Sequence, residues 1–493
     1  MTLAEGRETL SRRSVLKLGA AGLGLAVTAC DSDPSRPEEP RVSGPSFRVA
    51  ERFRPFELIA PGFELVDQAA GPSAGMTRTQ QSPVAPFAAV ELEVTRMSTT
   101  GVLAGLATAD DEHVAVAYDS SRSRMSIEVR VDGRTRVVRT KRIKLQAPFR
   151  LGFVLCENQV TGLADSGDGW VPVLTMRDRV AALLDLREPA TLARYTFAYG
   201  PRSAGDGLEL GSVRAGAFGY AGLRDPHLVQ HPDGTPVVRD GLAYLTFTCA
   251  GMGFFQQAHW GVFTLDLADP TDLRQVSQLY FSRDGLVLGD HAGQLIVDED
   301  TGQSFLGVSS WGDFDYSGVH VRHASSTEDL LSGVHVLETE QLDLPTSVGT
   351  WDPSFTRIDE RWHVAFVESP SQDPFDFHPA LAIGAAGGAY DKGLELVGID
   401  DTVLECEGPI IAQLDGDWRV LASSLDAREY PVYDLKMERV GVLDAPYLTN
   451  IPHPQIVDLP DAGHLMVTFD GTAYGMRVLG YGTHGDVVVM RAS

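Results

Sequence analysis

Three carboxylates stand where apolar strands are about to begin. Asp225 lies in "RDPHLV", Asp352 in "WDPSF" and Glu407 in "ECEGPII", and a proline follows each of them within two residues. A proline at the start of a strand costs little, because its missing N–H is not needed there. If the three side chains meet, one remains protonated while another is ionised, since like charges a few ångströms apart do not all ionise easily. That combination performs general acid–base catalysis.

A long repeat would position these carboxylates. Its polar positions, Asp225, Asp290, Asp352, Glu407 and His453, are 65, 62, 55 and 46 residues apart. Each precedes a short apolar strand and an acidic, glycine-type turn, and a second apolar strand follows. Propeller blades need roughly 40–60 residues, so residues 216–493 predict a five-bladed β-propeller. In that fold one residue of each blade points into a common axial cavity.

Residues 47–215 show a different pattern. Short segments such as "FAAVELEVTRM", "HVAVAYD" and "MSIEVRVDG" alternate apolar and polar residues between turn signals, which is typical of antiparallel strands. We expect a β-sandwich here, similar to a concanavalin-type jelly roll, and "VAALLDLREPATLARY" (180–195) as its one short helix. The whole chain is therefore predicted to be all-β. Such a sandwich either binds sugar or braces its neighbour, and the sequence does not choose between the two.

The N-terminus has the order of an export signal. "SRRSVLK" (11–17) puts paired arginines before the apolar run "LGAAGLGLAVTA", and "VTAC" ends at Cys30. The arginines resemble a twin-arginine signal, and "VTAC" resembles a bacterial lipobox that lipidates Cys30. Residues 1–30 are thus predicted to be a leader and 31–46 a polar, proline-rich tether. The expected location is the outer face of the membrane; the alternative is an ordinary signal peptide with an incidental cysteine.

The overall charge narrows the range of partners. A formal charge of −26 argues against nucleic-acid binding, which needs a basic footprint. Membrane contact is expected only through the lipid anchor, and the oligomeric state is left open. The cysteines at 156, 249 and 406 show neither a disulfide framework nor zinc-ligand spacing, and we expect them to be small buried hydrophobes.

The motifs around the three carboxylates resemble the signature positions of glycoside hydrolase family 43. The resemblance rests on "RDPH", "WDPS" and "CEGP" and extends over residues 216–493. It implies an inverting glycosidase in which Asp225 is the general base, Glu407 the general acid and Asp352 the residue that tunes the acid. It also implies that His453, in "PHPQ", lies near an axial calcium ion or water cluster, with no cofactor required. Pentose-containing glycans would be the usual substrates.

The second repeat departs from the family pattern. "GDHAG" adds Asp290 and His291, which are expected to be subsite contacts or to displace one of the implied roles. Trp311 and Trp351 lie in aromatic, acidic segments that suit a sugar subsite, because rings stack on sugar faces.

Two other functions fit the same sequence. A non-catalytic surface protein could bind glycans through both domains, or a glycoside phosphorylase or transfer enzyme could use the same propeller. A phosphorylase would need a basic cluster at the channel, and the motifs show none.

Overall fold

Antiparallel strands make up almost all of the secondary structure. The computed structural model describes residues 40–68, 71–73, 75–204, 207–315, 317–346, 348–372, 375–459, 463–473 and 484–492. These residues form strands, two four-residue helices, α1 (Asp178–Ala181) and α2 (Pro189–Leu192), and two 3₁₀ turns. None of the described helices is long and apolar enough to cross a bilayer. The all-β prediction is confirmed, whereas the predicted leader, Cys30 and residues 31–39 of the tether lie outside the described part.

Two sheets stack face to face in the N-terminal half. The first has the order β12-β11-β10-β5-β14-β2 with β3 beside β14, and the second has the order β4-β13-β6-β7-β8-β9. Val90 and Phe153 of the first sheet and Val116 and Ile127 of the second are fully buried in one cluster between them. The first sheet contains β2 (Glu57–Gln68), β3 (Pro72–Ser73), β5 (Phe87–Arg96), β10 (Phe149–Cys156), β11 (Gln159–Asp165), β12 (Val171–Met176) and β14 (Leu208–Tyr220). The second contains β4 (Thr77–Arg78), β6 (Val102–Ala107), β7 (His113–Asp119), β8 (Arg124–Val131), β9 (Arg134–Arg142) and β13 (Thr196–Pro201).

The prediction of one helix over residues 180–195 is wrong, because a turn divides the segment. The carboxylate of Asp185 accepts hydrogen bonds from the backbone N–H of Arg187, at 3.1 Å, and from its guanidinium. Such a side-chain turn competes with helical hydrogen bonding. Pro189 then begins α2, at a position where its missing N–H costs nothing.

Five further sheets follow, and we call them blades 1 to 5. Blade 1 contains β15 (Leu223–Leu228), β16 (Val238–Arg239), β17 (Leu242–Cys249), β18 (His259–Asp266), β19 (Leu273–Arg283), β20 (Leu286–Leu288) and β24 (Gly333–Glu338). Blade 2 contains β21 (His291–Asp298), β22 (Gln303–Ser309), β23 (Val321–Ser326) and β25 (Glu340–Gln341). Blade 3 contains β26 (Gly349–Ile358), β27 (Arg361–Gln372), β28 (Phe375–Ile383) and β29 (Glu395–Ile399). Blade 4 contains β30 (Cys406–Leu414), β31 (Asp417–Ser424), β32 (Pro431–Tyr433) and β33 (Arg439–Val442). Blade 5 contains β34 (Gln455–Leu459), β35 (Gly463–Ala473), β36 (His484–Ala492) and β1 (Arg48–Phe53).

A separate apolar core lies between each pair of neighbouring blades. The five cores join blades 1 and 2, 2 and 3, 3 and 4, 4 and 5, and finally 5 and 1. In that order, buried residues that share a core are Val262 with Leu306, Phe305 with Phe355, Leu381 with Val420, Leu421 with Met466, and Val467 with Phe247. The ring is therefore closed, and the five sheets form the predicted five-bladed β-propeller.

The first strand of the chain belongs to the last blade. The sequence pattern placed residues from 47 onwards in the sandwich, but β1 pairs antiparallel with β36, from Arg48 opposite Arg491 to Phe53 opposite Val487. Arg52 reinforces this pairing through ion pairs with Asp470, at 3.0 Å, and Asp486, at 2.9 Å. The assignment was wrong because a strand's pattern of alternation does not reveal its partner.

An aromatic cluster attaches the sandwich to blade 1. The ring of Phe87 lies 5.4 Å from that of Tyr280 and 5.2 Å from that of His259, measured between centroids. Gln278 donates a hydrogen bond of 3.0 Å to the carbonyl of Phe218, at the end of the sandwich. The described cysteines are free and buried, as predicted: Cys156, Cys249 and Cys406.

Candidate active site

The innermost strands of blades 1 to 4 share one irregularity. Each contains a β-bulge near its start, at which two residues oppose one on the next strand. One residue in each bulge has a positive φ: Asp225 (46°), Ala292 (56°), Asp352 (50°) and Gly408 (59°). Together with His453 before β34, these four residues line a single narrow cavity. We call the five residues the axial row.

Gly408 is required at its position for two reasons. Its φ of +59° is unfavourable for residues with a side chain, and a Cβ there would lie only 2.3 Å from Cδ2 of His453. The histidine therefore packs directly against the backbone of blade 4. This contact brings blades 4 and 5 close together at the axis.

The structure brings Asp225, Asp352, Glu407 and His453 together. Nε2 of His453 lies 3.9 Å from Oδ1 of Asp225 and 3.5 Å from Oδ2 of Asp352. One donor atom from each of Asp352, Glu407 and His453 falls within 4.8 Å of the other two. The spatial convergence predicted from the repeat is therefore present.

Glu407 is not equivalent to the two aspartates. It precedes the positive-φ residue of blade 4, so its counterparts in the other bulges are Arg224, His291 and Trp351. We call these four residues the flanking row. The sequence alignment was wrong by one position here, because Gly408 rather than the carboxylate occupies the axial row.

Trp351 holds Glu407 in place. Its indole Nε1–H donates a hydrogen bond of 3.0 Å to Oε1 of Glu407. Asp352 is fixed in turn by its backbone N–H, which donates to Oγ of Ser309 at 2.9 Å, and by the Gly408 N–H, which donates to its Oδ2 at 3.1 Å. Both carboxyl groups are thus oriented by neighbouring strands.

The site favours an ionised Asp225. Burial alone would raise the pKa of this carboxyl, but the guanidinium of Arg224, 3.6 Å from Oδ1, and the imidazoles of His453 and His291, which are charged only in acid, lower it below its usual value. Arg224 was not predicted as a functional residue. The only sequence signal for it is that it directly precedes Asp225.

The pKa values of Glu407 and Asp352 are shifted in the opposite direction, above their usual values. Burial and the charge of Asp225 raise the pKa of Glu407 to about 7, although Arg224 and the Trp351 hydrogen bond oppose the shift. Burial and the charges of Glu407 and Asp225 raise the pKa of Asp352 well above its usual value. The pair therefore retains a proton near neutral pH, while Asp225 has lost its own.

His453 and His291 are neutral partners in this arrangement. Burial lowers the pKa of each imidazole to about 4, despite the opposing charge of Asp225. Nδ1 of His291 lies 3.3 Å from Oγ1 of Thr248, and its Nε2 lies 3.1 Å from the carbonyl of Phe255. Both nitrogens of His291 are already hydrogen-bonded within the protein, so its role at the site is structural.

Asp290 does not face a ligand, which corrects the sequence prediction. Its side chain is fully buried and makes two hydrogen bonds with Arg283, of 2.8 and 2.9 Å. It also accepts a hydrogen bond of 2.9 Å from the N–H of Gly312, and Arg283 reaches on to Asp313. Asp290 thus anchors the turn Trp311–Asp313.

Trp311 contributes to an aromatic wall beside the carboxylates. Its ring centroid lies 4.5 Å from that of Phe255, 5.1 Å from that of Phe314 and 5.8 Å from that of Trp351. Trp311 and Trp351 are only 6% and 1% exposed. These rings shape the site and exclude water from it. Because they are buried, they do not provide an open platform on which a sugar could stack.

The possible metal donors do not suit calcium. Asp352, Glu407 and His453 offer two carboxylates and an imidazole nitrogen. Calcium takes six to eight oxygen ligands, whereas an imidazole is typical of transition metals. The calcium ion implied near His453 therefore stays a prediction that the donor set does not favour.

Comparison with known proteins gives only distant likenesses. No protein-family model matches the chain, and no curated protein matches its sequence. A GH43_1 enzyme from Xanthomonas citri is 13% identical, with 55% of this chain and 87% of that chain covered and a TM-score of 0.39. An inulosucrase from Halalkalicoccus jeotgali bound to kestose is 14% identical, with 55% and 86% covered and a TM-score of 0.40. An α-L-arabinanase from Penicillium chrysogenum complexed with arabinobiose is 9% identical, with 87% and 98% covered and a TM-score of 0.35. Likeness this distant does not by itself assign a fold or an activity to the chain.

We expect Arg283→Met to destabilise the protein strongly. Arg283 is buried, and its removal leaves the carboxylate of Asp290 buried without a cation. Such a loss costs about 3–5 kcal/mol. Chemical denaturation would measure the change in the free energy of unfolding.

Arg274→Met is the matched control. Arg274 also pairs with an aspartate, Asp272, but this pair is exposed and is worth about 0–1 kcal/mol. Equal effects of the two substitutions would contradict the structural role of Asp290.

Proposed function

We propose that this chain is a glycoside hydrolase that cleaves a polysaccharide or oligosaccharide with inversion. The observation that carries the proposal is the opposed protonation of two carboxyl groups at one axis. The pKa of Asp225 is lowered, while that of Glu407 is raised to about 7. Glycoside hydrolysis needs this pairing of an ionised carboxylate with a protonated one.

Each group has a defined task in the proposed reaction. Glu407 donates its proton to the glycosidic oxygen as the bond from that oxygen to the anomeric carbon breaks. Asp225 accepts a proton from a water molecule, whose oxygen forms the new bond to the anomeric carbon. The products are a free alcohol and a sugar with inverted anomeric configuration, and both carboxyls then exchange protons with solvent.

The placement of the blades supports an inverting mechanism, in which water displaces the leaving group in a single step. Asp225 belongs to blade 1 and Glu407 to blade 4, and blade 5 with His453 lies between them in the ring. Inverting enzymes keep their carboxyls about 6.5–9.5 Å apart, so that a water molecule fits between base and sugar. Groups on non-adjacent blades leave more room for water than groups on adjacent ones.

The position of Asp352 suits a modulating role. It lies beside Glu407 and His453 and accepts the Gly408 N–H, and the charge of Glu407 helps to raise its own pKa well above the usual value. The neutral imidazole of His453, 3.5 Å from Oδ2 of Asp352, limits the cost of keeping this carboxyl out of water.

Phosphorolysis is the weaker proposal. Arg224 is the cation found beside the carboxylates in the described part of the chain, and it is buried against Asp225 and the ring of Phe469. Phosphate recognition calls for several free donors. Product release that does not depend on added phosphate would support hydrolysis.

Two substitutions separate the acid from the base. Glu407→Gln should lower kcat on arabino- and xylo-oligosaccharides by about 10²–10⁴, yet retain activity on aryl glycosides whose leaving group needs no proton. Asp225→Asn should lose activity on both substrates, because water activation is needed for either. Reducing-sugar and nitrophenol release would measure the two reactions.

The wild-type protein is the reference for this experiment. If wild type and Glu407→Gln are equally inert on every oligosaccharide and aryl glycoside, the hydrolase proposal fails. Glycan binding without turnover would then favour the surface-binding protein.

The pH dependence of kcat/KM should be bell-shaped. Activity needs a protonated Glu407, so it is expected to fall as the pH rises through about 7, the pKa of this carboxyl. Activity also needs an ionised Asp225. Because the pKa of this carboxyl is lowered, activity should fall again in acid, at a pH below the usual pKa range of an aspartate. A rate that still increases above pH 8 would contradict these assignments.

We further propose export by the twin-arginine route and a lipid anchor at Cys30. In a bacterium that processes the leader, wild-type protein is expected in the membrane fraction and released by detergent, and Cys30→Ser in the soluble fraction. Ser32→Ala, two residues away, is the matched control and should remain with the membrane. An equal distribution of wild type and Cys30→Ser would rule out the anchor.

A further inference from the structure

A dense run of positive charge crosses the surface of the sandwich. It lies on β9, which is an edge strand of the second sheet, and on the residues that follow it. No acidic residue occurs between Asp132 and Glu157, although the chain as a whole has 67 acidic and 41 basic residues. The run consists of the six cations on β9 and the two residues after it: Arg134, Arg136, Arg139, Lys141, Arg142 and Lys144.

These six side chains are exposed and lack ion pairs with the described acidic residues. Exposed arginines elsewhere do find partners: Arg239 lies 3.1 Å from Glu299, and Arg274 pairs with Asp272. In β9 the register even places Arg142 directly opposite Arg124 of β8. Like charges directly opposite each other destabilise a sheet.

Four of the cations form a row on one face of the strand. Residues directly opposite on paired strands share a face, and the apolar partners on β8 place these four cations on the core side of the sheet, where β9 at the edge leaves them exposed. The opposing pairs are Arg134 with Val131, Arg136 with Val129, Arg139 with Ile127 and Lys141 with Met125. Arg134 and Arg136 are alternate residues of the strand, as are Arg139 and Lys141, so the two cations of each pair are about 7 Å apart. A β-bulge at residues 137–138 separates the two pairs.

Protection of the edge does not account for this charge. Native sheets keep edge strands from pairing with other chains by placing charged residues there, and a few lysines suffice. Six cations without an ion pair among the described residues add self-repulsion, which an edge does not require. A bound polyanion would relieve that repulsion.

We propose that β9 binds a linear anionic glycan, a polysaccharide whose repeating units carry carboxylate, sulfate or phosphate groups. Guanidinium groups bind such anions with two parallel hydrogen bonds, and three of the four cations in the row are arginines. A row along one strand matches a linear chain better than a flat membrane, because the adjacent Arg130 of β8 is already paired with Asp111 at 3.1 Å. Only the choice of a glycan among polyanions rests on the proposed function.

The experiment measures binding without turnover. The full chain carrying Glu407→Gln is titrated with polygalacturonate, with neutral linear arabinan as the comparison polymer, at low and at 0.5 M salt. We expect binding to polygalacturonate alone, and at least tenfold weaker binding at 0.5 M salt, because ions screen exposed charges.

Three variants of that chain test the surface. Arg136→Glu with Arg139→Glu should weaken polygalacturonate binding at least tenfold, whereas Arg136→Lys with Arg139→Lys should retain most of it. Arg239→Glu with Arg274→Glu changes the net charge equally and should alter binding less than twofold. Thermal unfolding of each variant establishes that the fold is kept.

Three results would overturn the proposal. They are no binding to polygalacturonate, equal losses in the two charge-reversal variants, and binding to vesicles of phosphatidylcholine and phosphatidylglycerol without binding to polygalacturonate. Failure of the hydrolase proposal would look different, since polygalacturonate binding would persist while wild type turned over no glycan.

Discussion

The candidate site depends on closure of the ring of blades. Its residues come from strands that are far apart in the chain, and only a closed ring brings their first residues to one axis. Blade 5 closes it by joining β1, from the start of the described chain, to β36 at its end. Without blade 5, the cores that its other strands share with blades 4 and 1 would be exposed. His453, between Asp225 and Asp352, would lose its fixed position.

Closure also creates the electrostatic problem that gives the site its proposed chemistry. Two carboxyls, Asp225 and Asp352, and the imidazole of His453 line a narrow cavity, with Glu407 beside them and Arg224 as the nearby cation. Burial raises the pKa of every carboxyl, and at Asp225 the charges of Arg224, His453 and His291 reverse the effect. The charge of Asp225 adds to the rise at both Glu407 and Asp352, and that of Glu407 adds to the rise at Asp352. Opposite protonation thus follows from the different charged neighbours of the three carboxyls.

The sequence predicted the parts of this arrangement that depend on local pattern. Five repeated strand starts with a polar residue were enough to predict five blades and to bring Asp225, Asp352, Glu407 and His453 to one axis. Their register was not predictable, because the bulge residue of blade 4 is a glycine and Glu407 precedes it. Asp290 had the pattern of an axial residue, but it precedes the bulge of blade 2 and pairs with Arg283, seven residues earlier. Strand β1 was misassigned for a different reason, since its partner lies at the other end of the described chain and the local pattern does not reveal it.

The pairing of β1 with β36 has a consequence for biosynthesis. Arg48 leaves the ribosome well before its partner Arg491, which lies 443 residues later in the chain (491 − 48). Contacts so distant in sequence form slowly, because a large loop must close first. The sandwich and blades 1 to 4 have all their strands before then, whereas blade 5 stays open until β36 has been made. Quality control that recognises an unclosed ring would therefore find every chain unclosed until β36 has left the ribosome.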